Sequence, residues 1–321
     1  MMCDYRGMTM VIFTSNNNLL RAENLNAVYS AYNGEKEFFH TNPWGAQPDF
    51  SSGKYSLRVA DELINASPGR CIFIGHGMGA FKKYGLDQPN PYFHSPNLVT
   101  YAIASSKHMV PIVSKQIGIA EDRVLPIGMP RTDAYFTPKV KNDKRIYLYL
   151  PTFRNRAENA NMRVDWEYLD NNLTDNELLV VKPHMVTKKI LKKEYKHIVQ
   201  ELSNIPTTDF LLSADIVITD YSSVIFDAYV CKIPVVLFEK DHETYMANRG
   251  VYMTYPGDYS PYHCRSEDDL LAFLRNAEWG DVFERHREFY TGACDGNSTK
   301  RVIDLIERVL RDENFSSGSN I

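Results

Sequence analysis

Short apolar runs recur along the chain at the spacing of strand–helix units. VIFT at Val11, CIFI at Cys71, YAIAS at Tyr101, IYLYL at Ile146, LLVV at Leu178, DIVIT at Asp215 and VVLF at Val235 are each followed by a polar turn and a longer stretch of helical character. Such runs predict mostly parallel strands buried on both faces, with helices above and below, which is an α/β fold. Between them, TPKVKNDK from Thr137 is polar and poor in apolar residues, as suits a linker. It sets a boundary near residue 140, with one Rossmann-like domain over 1–140 and a second over 141–313. The last helix is predicted at KRVIDLIERVL from Lys300, and the tail at 314–321, NFSSGSNI, has the composition of a disordered segment. A further helix is predicted at KKILKKEYKHIV from Lys188, with Leu191, Tyr195 and Ile198 on one face and lysines mostly on the other. A solvated face of a packed helix is the ordinary reading; peripheral contact with an anionic membrane surface is the alternative.

Composition narrows the classes. With 321 residues, 44% hydrophobic and 24% charged, the chain has the makeup of a globular protein of two domains. A net charge of −4 offers no general attraction to nucleic acid, so nucleic acid is not an expected partner. The five cysteines, Cys3, Cys71, Cys231, Cys264 and Cys294, show no metal-binding spacing, and His263–Cys264 lacks a second ligand pair, so no metal is expected. The start MMCDYRG has no charged-then-apolar leader and no apolar run is long enough to cross a bilayer, which makes the cytoplasm the expected compartment.

Candidate chemistry gathers at the ends of the predicted strands. DIVITDYSS closes a strand with Asp220 and places Ser222 or Ser223 at a helix start, where backbone N–H groups lack partners and favour an anion. Helix capping alone is a second reading of the same serines. LLVVKPH delivers Lys182 and His184 to the carboxyl edge of the sheet, where ligands of open α/β sheets bind. IYLYLPTFRNR adds Thr152, Arg154 and Arg156, and a guanidinium can fork onto phosphate oxygens. In the first half, CIFIGHGMGAFKKYG carries His76 in a glycine-rich turn, followed by Lys82 and Lys83. A dinucleotide fingerprint would need an acidic residue about 20 positions on, and none occurs between Asp87 and Glu121. Gly75 and Gly77 instead let a substrate approach His76, whose imidazole suits a general base.

Read in order, HGMGAFKKYG, GMPRTD, LPTFR, VVKPH, ADIVITDYSSVIFDA, FEKDHETYMANRGVY and DGNSTKRV resemble the CDP-glycerol glycerophosphotransferase family over roughly residues 70 to 310. The resemblance implies a GT-B-like pair of Rossmann-type domains with an interdomain cleft, acceptor-side first and donor-side second. It implies transfer of glycerol phosphate, or another alditol phosphate, from CDP-glycerol or CDP-ribitol to a lipid-linked or polymeric saccharide, with release of CMP and no cofactor. It makes His76 the catalytic base and His184 a phosphate-binding histidine, and it seats the donor's pyrophosphate on Ser222 and Ser223. Arg131 and Asp133 match a PR-x-D segment counted with the donor residues, and Asp241 and Glu243 an acidic pair for polyol or ribose hydroxyls. The family's usual HGTPLKK is HGMGAFKK here, so Gly77, Met78, Lys82 and Lys83 form an altered acceptor loop. A GT-B glycosyltransferase using a nucleotide sugar, or an inactive nucleotide-binding homologue, are the alternatives.

Overall fold

A computed structural model describes residues 10–19, 22–42, 48–50, 52–62, 70–75, 77, 99–152, 164–183, 190–202, 207–248, 250–251 and 262–311. In chain order the elements are β1 (Met10–Ser15), α1 (Glu23–Ala31), β2 (Lys36–His40), β3 (Tyr55–Ala60), β4 (Cys71–Phe73), β5 (Tyr101–Ile103), α2 (Val110–Ile117), β6 (Val124–Leu125), β7 (Arg145–Leu150), α3 (Trp166–Asn172), β8 (Glu177–Val181), β9 (Ile198–Gln200), α4 (Thr207–Leu211), β10 (Ile216–Thr219), α5 (Val224–Val230), β11 (Val235–Phe238), α6 (His242–Asn248), β12 (His263–Cys264), α7 (Glu267–Asn276), α8 (Asp281–Thr291) and α9 (Ser298–Arg311). They form two compact units. The first holds the described residues as far as Asp133 together with those from Gly292 onward; the second runs from Ala134 to Thr291.

The first unit is built on a parallel sheet in the order β2-β1-β3-β4-β5-β6. Its interior strand β1 buries five of its six residues, as expected of a strand covered on both faces. β2 is an edge strand that stays largely half-exposed, so KEFFH carries too few apolar residues to announce itself. β3 hides for another reason: Arg58 is buried in it, satisfied by Nε donating to Thr14 Oγ1 at 2.8 Å.

The second unit is a parallel sheet in the order β12-β11-β10-β7-β8-β9. β10 and β11 are buried at every position, which is why IVIT and VVLF read as unbroken apolar runs. The seven residues of α5 are all buried too, including Asp227, whose Oδ1 accepts the Tyr135 hydroxyl at 2.9 Å. Each of the seven apolar runs that predicted a strand carries one.

Two expectations change. No helix forms over the described part of KKILKKEYKHIV. Gln200 Oε1 accepts from the backbone of Ile190 and Leu191, Asp170 accepts from that of Lys196 and His197, and Ile198–Gln200 pairs with β8 as an edge strand. The basic face proposed for a membrane therefore does not exist as a helix face, and Lys193 and Lys196 are paired with Glu167 and Asp175. The second difference concerns α9, expected in the second domain but belonging to the first unit. Val302, Leu305, Ile306 and Val309 bury one stripe of it. Both carboxylate oxygens of Asp133 cap its start, accepting from the backbone of Ser298 at 3.0 Å and Thr299 at 2.7 Å. Arg301 fastens its first turn, donating to the carbonyls of Ile127 and Ala293. The tail at 314–321 lies outside the described residues.

At Gly128 the chain passes close to this helix start. Its φ of +85° is left-handed, and a Cβ there would stand 2.3 Å from Ser298 Oγ and 2.5 Å from the Ala293 carbonyl oxygen. Gly128→Ala is expected to lower the unfolding free energy by about 2–4 kcal/mol through backbone strain and overpacking. Urea denaturation followed by circular dichroism checks it, and an unchanged midpoint would contradict the close approach.

Candidate active site

In the second unit the sheet order reverses between β7 and β10: read from β9, the local order is 3-2-1-4-5-6, the doubly wound Rossmann order. At such a reversal the connections leave to opposite faces and open a crevice beyond the carboxyl ends of the strands. The neighbours β8, β7, β10 and β11 bring Lys182, Thr152, Asp220 with Ser222 and Ser223, and Glu239 with Asp241 to that edge. At about 4.8 Å between strands, four ends span roughly 14 Å.

Asp220 ties the two strands across the reversal. It is fully buried, and its Oδ1 accepts from the backbone N–H of Thr152 at 2.9 Å and of Tyr221 at 2.6 Å. Next to it, the Thr219 hydroxyl donates to the Leu150 carbonyl at 2.7 Å. Asp220, expected among the donor-binding residues, shapes the turn that presents its neighbours.

Ser223 precedes α5 without making a side-chain capping bond, and Ser222 Oγ accepts from Val224 N only at 3.4 Å. Capping therefore accounts for little of this serine pair. Lys182 is half-buried with Nζ 4.7 Å from the centre of the Phe210 ring, and burial lowers its pKa, partly offset by Glu201. Asp241 is buried just before α6, whereas Glu243, two residues on, is exposed.

Aromatic and acidic groups that no sequence pattern marked complete this edge. The Tyr221 ring stacks on Tyr245 at 3.8 Å between centroids, with 11° between planes, and so fixes α6 to the serine turn. His242 lies 6.3 Å from the Tyr221 ring, its pKa lowered by burial. Glu239, fully buried, faces His263 Nδ1 at 3.2 Å. Arg154 and His184 lie outside the described residues.

The first unit has its own reversal, between β1 and β3. There the Ser15 hydroxyl donates to Asp61 Oδ2 at 3.0 Å and the Thr41 hydroxyl to Glu62 Oε1 at 2.5 Å. Burial drives the Glu62 pKa up to about 7, against the Thr41 bond and Arg58, which pull it down. His76, Met78, Lys82 and Lys83 lie outside the described residues, but Gly75 and Gly77 do not. Both their carbonyls accept from the carboxamide of Asn24 on α1. Arg131 donates to Glu23 at 3.1 Å, and Asp133 caps α9, so this pair, expected with the donor residues, belongs to the first unit and has partners there.

Residues 56–308 match the family model described as CDP-Glycerol:Poly(glycerophosphate) glycerophosphotransferase. The chain belongs to that family. The chain is 26% identical over 261 residues to the teichoic acid glycerol-phosphate primase of Bacillus subtilis (strain 168), across 75% of this chain and 68% of the primase. It is 28% identical over 261 residues to the teichoic acid ribitol-phosphate polymerase TarL of Staphylococcus aureus (strain NCTC 8325 / PS 47), covering 72% of this chain and 46% of TarL. It therefore spans about half the length of that polymerase. Among solved structures, the wall teichoic acid polymerase TagF superposes with a TM-score of 0.72 at 18% identity, over 96% of this chain and 90% of that one. A UDP co-structure of S. aureus MnaA gives 0.61 at 13% identity, over 98% and 100%. The fold is thus the expected α/β, GT-B-like pair of Rossmann-type domains, and the enzyme is a transferase of the CDP-glycerol glycerophosphotransferase type. Among the described residues no helix is long and apolar enough to cross a membrane, and no three His, Cys, Asp or Glu side chains gather as a metal site.

Two consequences can be measured. Asp220→Ala leaves two buried N–H groups without their acceptor and is expected to remove about 2–5 kcal/mol of stability, and Asp220→Asn, which keeps an accepting oxygen, clearly less. Equal midpoints in urea for Asp220→Ala and the parent would show that the tie carries no weight. For Glu62, the raised folded pKa means that the native state retains a proton the unfolded chain has lost above its ordinary value of 4.5. Stability drawn from it is present at low pH and lost as pH rises toward about 7. Relative to Glu62→Gln, the parent should lose about 1–3 kcal/mol between pH 5 and pH 8, read from denaturation at each pH; a difference that stays flat would contradict the raised pKa.

Proposed function

We propose that the chain transfers glycerol phosphate, or ribitol phosphate, from a CDP-alditol to an acceptor hydroxyl in teichoic acid synthesis, releasing CMP. The observation that carries the reading is the reversal between β7 and β10, where Lys182, Thr152, the serine turn and Asp241 come to one sheet edge in a member of this family. The donor's pyrophosphate is assigned to the serine turn, with Ser222 and Ser223 donating their hydroxyls. Lys182, Arg154 and His184 neutralise the phosphates, and Asp241 and Glu243 take hydroxyls of the ribose or polyol. Arg131 and Asp133 drop out of the donor set because their side chains already have structural work in the first unit.

In the step itself, the acceptor oxygen forms a bond to the β-phosphorus as the bond from that phosphorus to the bridging oxygen breaks. The bridging oxygen leaves with CMP, and the acceptor's proton passes to His76. Positioning and charge neutralisation supply most of the acceleration in phosphoryl transfer, and these donors and cations are assigned that work with no cofactor. Curated relatives named as ribitol-phosphate polymerases and glycerol-phosphate primases support the alditol-phosphate class, and TagF was soaked with CDPG. The acceptor is assigned to a saccharide, polymeric or lipid-linked, approaching the loop of Gly77, Met78, Lys82 and Lys83.

Incubation with CDP-glycerol, CDP-ribitol and UDP-sugars, each with a saccharide acceptor panel, is expected to release CMP and no UDP. His76→Ala should cut CMP release by about 10²-fold or more while leaving donor affinity within threefold by calorimetry. The Ser222→Ala, Ser223→Ala double variant should weaken donor binding by about tenfold. UDP release without CMP would overturn the function, and near-normal turnover of His76→Ala the assignment of the base.

A further inference from the structure

Gly75 and Gly77 flank His76 in the sequence, and Gly75 holds a left-handed φ of +61°. Glycines let a backbone approach a substrate but leave the residue between them poorly oriented. Something outside the loop must supply the missing constraint. Asn24, in the first turn of α1 and wholly buried, is placed to do so. Its Nδ2 donates to the carbonyl of Gly75 at 3.0 Å and to that of Gly77 at 3.3 Å, the two residues either side of His76. Its Oδ1 accepts the backbone N–H of Arg131 at 3.0 Å. The three partners leave no ambiguity in the carboxamide's orientation, because two carbonyls need the NH2 and an N–H needs the oxygen.

We propose that Asn24 is a positioning residue for the transfer reaction, holding the carbonyls of Gly75 and Gly77, the residues before and after His76, and so the backbone that carries the assigned base. The inference rests on His76 being the base. No other residue type of this size offers two donors and an acceptor from one planar group. Aspartate would set a carboxylate oxygen against two carbonyls, and alanine would release both. The same group clamps the loop to the PR-x-D segment through Arg131 N, so the two motif blocks are set by one buried side chain. A misplacement of about 1 Å at a reacting group can cost on the order of 10²-fold in rate, and the energy of a donor pair facing the loop is available for that task.

The test uses the full chain, with kcat and KM for CMP release, donor affinity by calorimetry and thermal melting. Asn24→Ala and Asn24→Asp are expected to lower kcat by about 30-fold or more while donor KM and Kd stay within about threefold. In a His76→Ala background, adding Asn24→Ala should lower the residual rate by less than about threefold, because the group it positions is already gone. A purely structural role would instead multiply the two losses. Three results would overturn the inference: kcat within threefold of the parent in a folded Asn24 variant, multiplicative losses in the double variant, or loss of donor binding and of a cooperative melt in both single variants. If His76→Ala keeps near-parent turnover, it is the base assignment that fails, whatever the Asn24 variants show; a dead His76→Ala beside a normal Asn24→Ala sinks the positioning role alone.

Discussion

Parallel pairing is the constraint from which the rest follows. Every strand pair among the described residues is parallel. Parallel neighbours cannot be joined by a tight hairpin, so each connection must cross over the sheet and return. All strands of a unit then end at one edge, and that edge collects whatever polar residues follow the apolar runs. Where the strand order reverses, the crossovers part to opposite faces and the edge opens. Each unit has one such reversal, between β1 and β3 and between β7 and β10.

Both reversals are closed at their base by the same device. Asp61 follows β3 by one residue and accepts from Ser15 at the end of β1; Asp220 follows β10 by one residue and accepts from Thr152 beyond β7. A carboxylate suits this place because it offers several lone pairs and can bind donors on two strands at once. Burying it is unfavourable unless those bonds are made, so the tie forms only when the strand ends are in register. Glu62, one residue beyond Asp61, shows the other side of the balance, since its bond to Thr41 does not offset burial and its pKa rises to about 7.

How much of this was written locally along the chain depends on the distance over which each feature acts. Buried central strands such as β10 and β11 are apolar at every position and were legible at once. The strand ends with Lys182, Thr152 and Asp220 were legible with them, because a residue that follows a parallel strand can only emerge at the carboxyl edge. β2 was not, being half-exposed, nor β3, where a buried Arg58 breaks the apolar pattern. The stretch from Ile190 to Gln200 misled because a helical period in Leu191, Tyr195 and Ile198 is equally served by a loop and a short strand, with Gln200 and Asp170 satisfying its backbone. Asn24 with Arg131, 107 residues apart, and Asp133 with Ser298, 165 apart, have no local signature at all. Asparagine in a first helical turn and aspartate in a loop are ordinary, and only the folded chain shows what they hold.

The serine turn illustrates why a short motif needs its surroundings. α5 is a single buried stretch of seven residues, too short to orient a ligand by itself. What orients the turn is Asp220 on one side, through its bond to Tyr221 N, and the ring of Tyr221 on the other, stacked on Tyr245. Tyr245 N in turn donates to the carbonyl of Asp241 at 2.9 Å. Ser222, Ser223 and Asp241 therefore belong to one connected piece, running from the end of β7 through the turn to α6. The polar groups of this piece are spaced by a stacked ring pair and a buried carboxylate. Displacing either group would shift Ser222, Ser223 and Asp241 together.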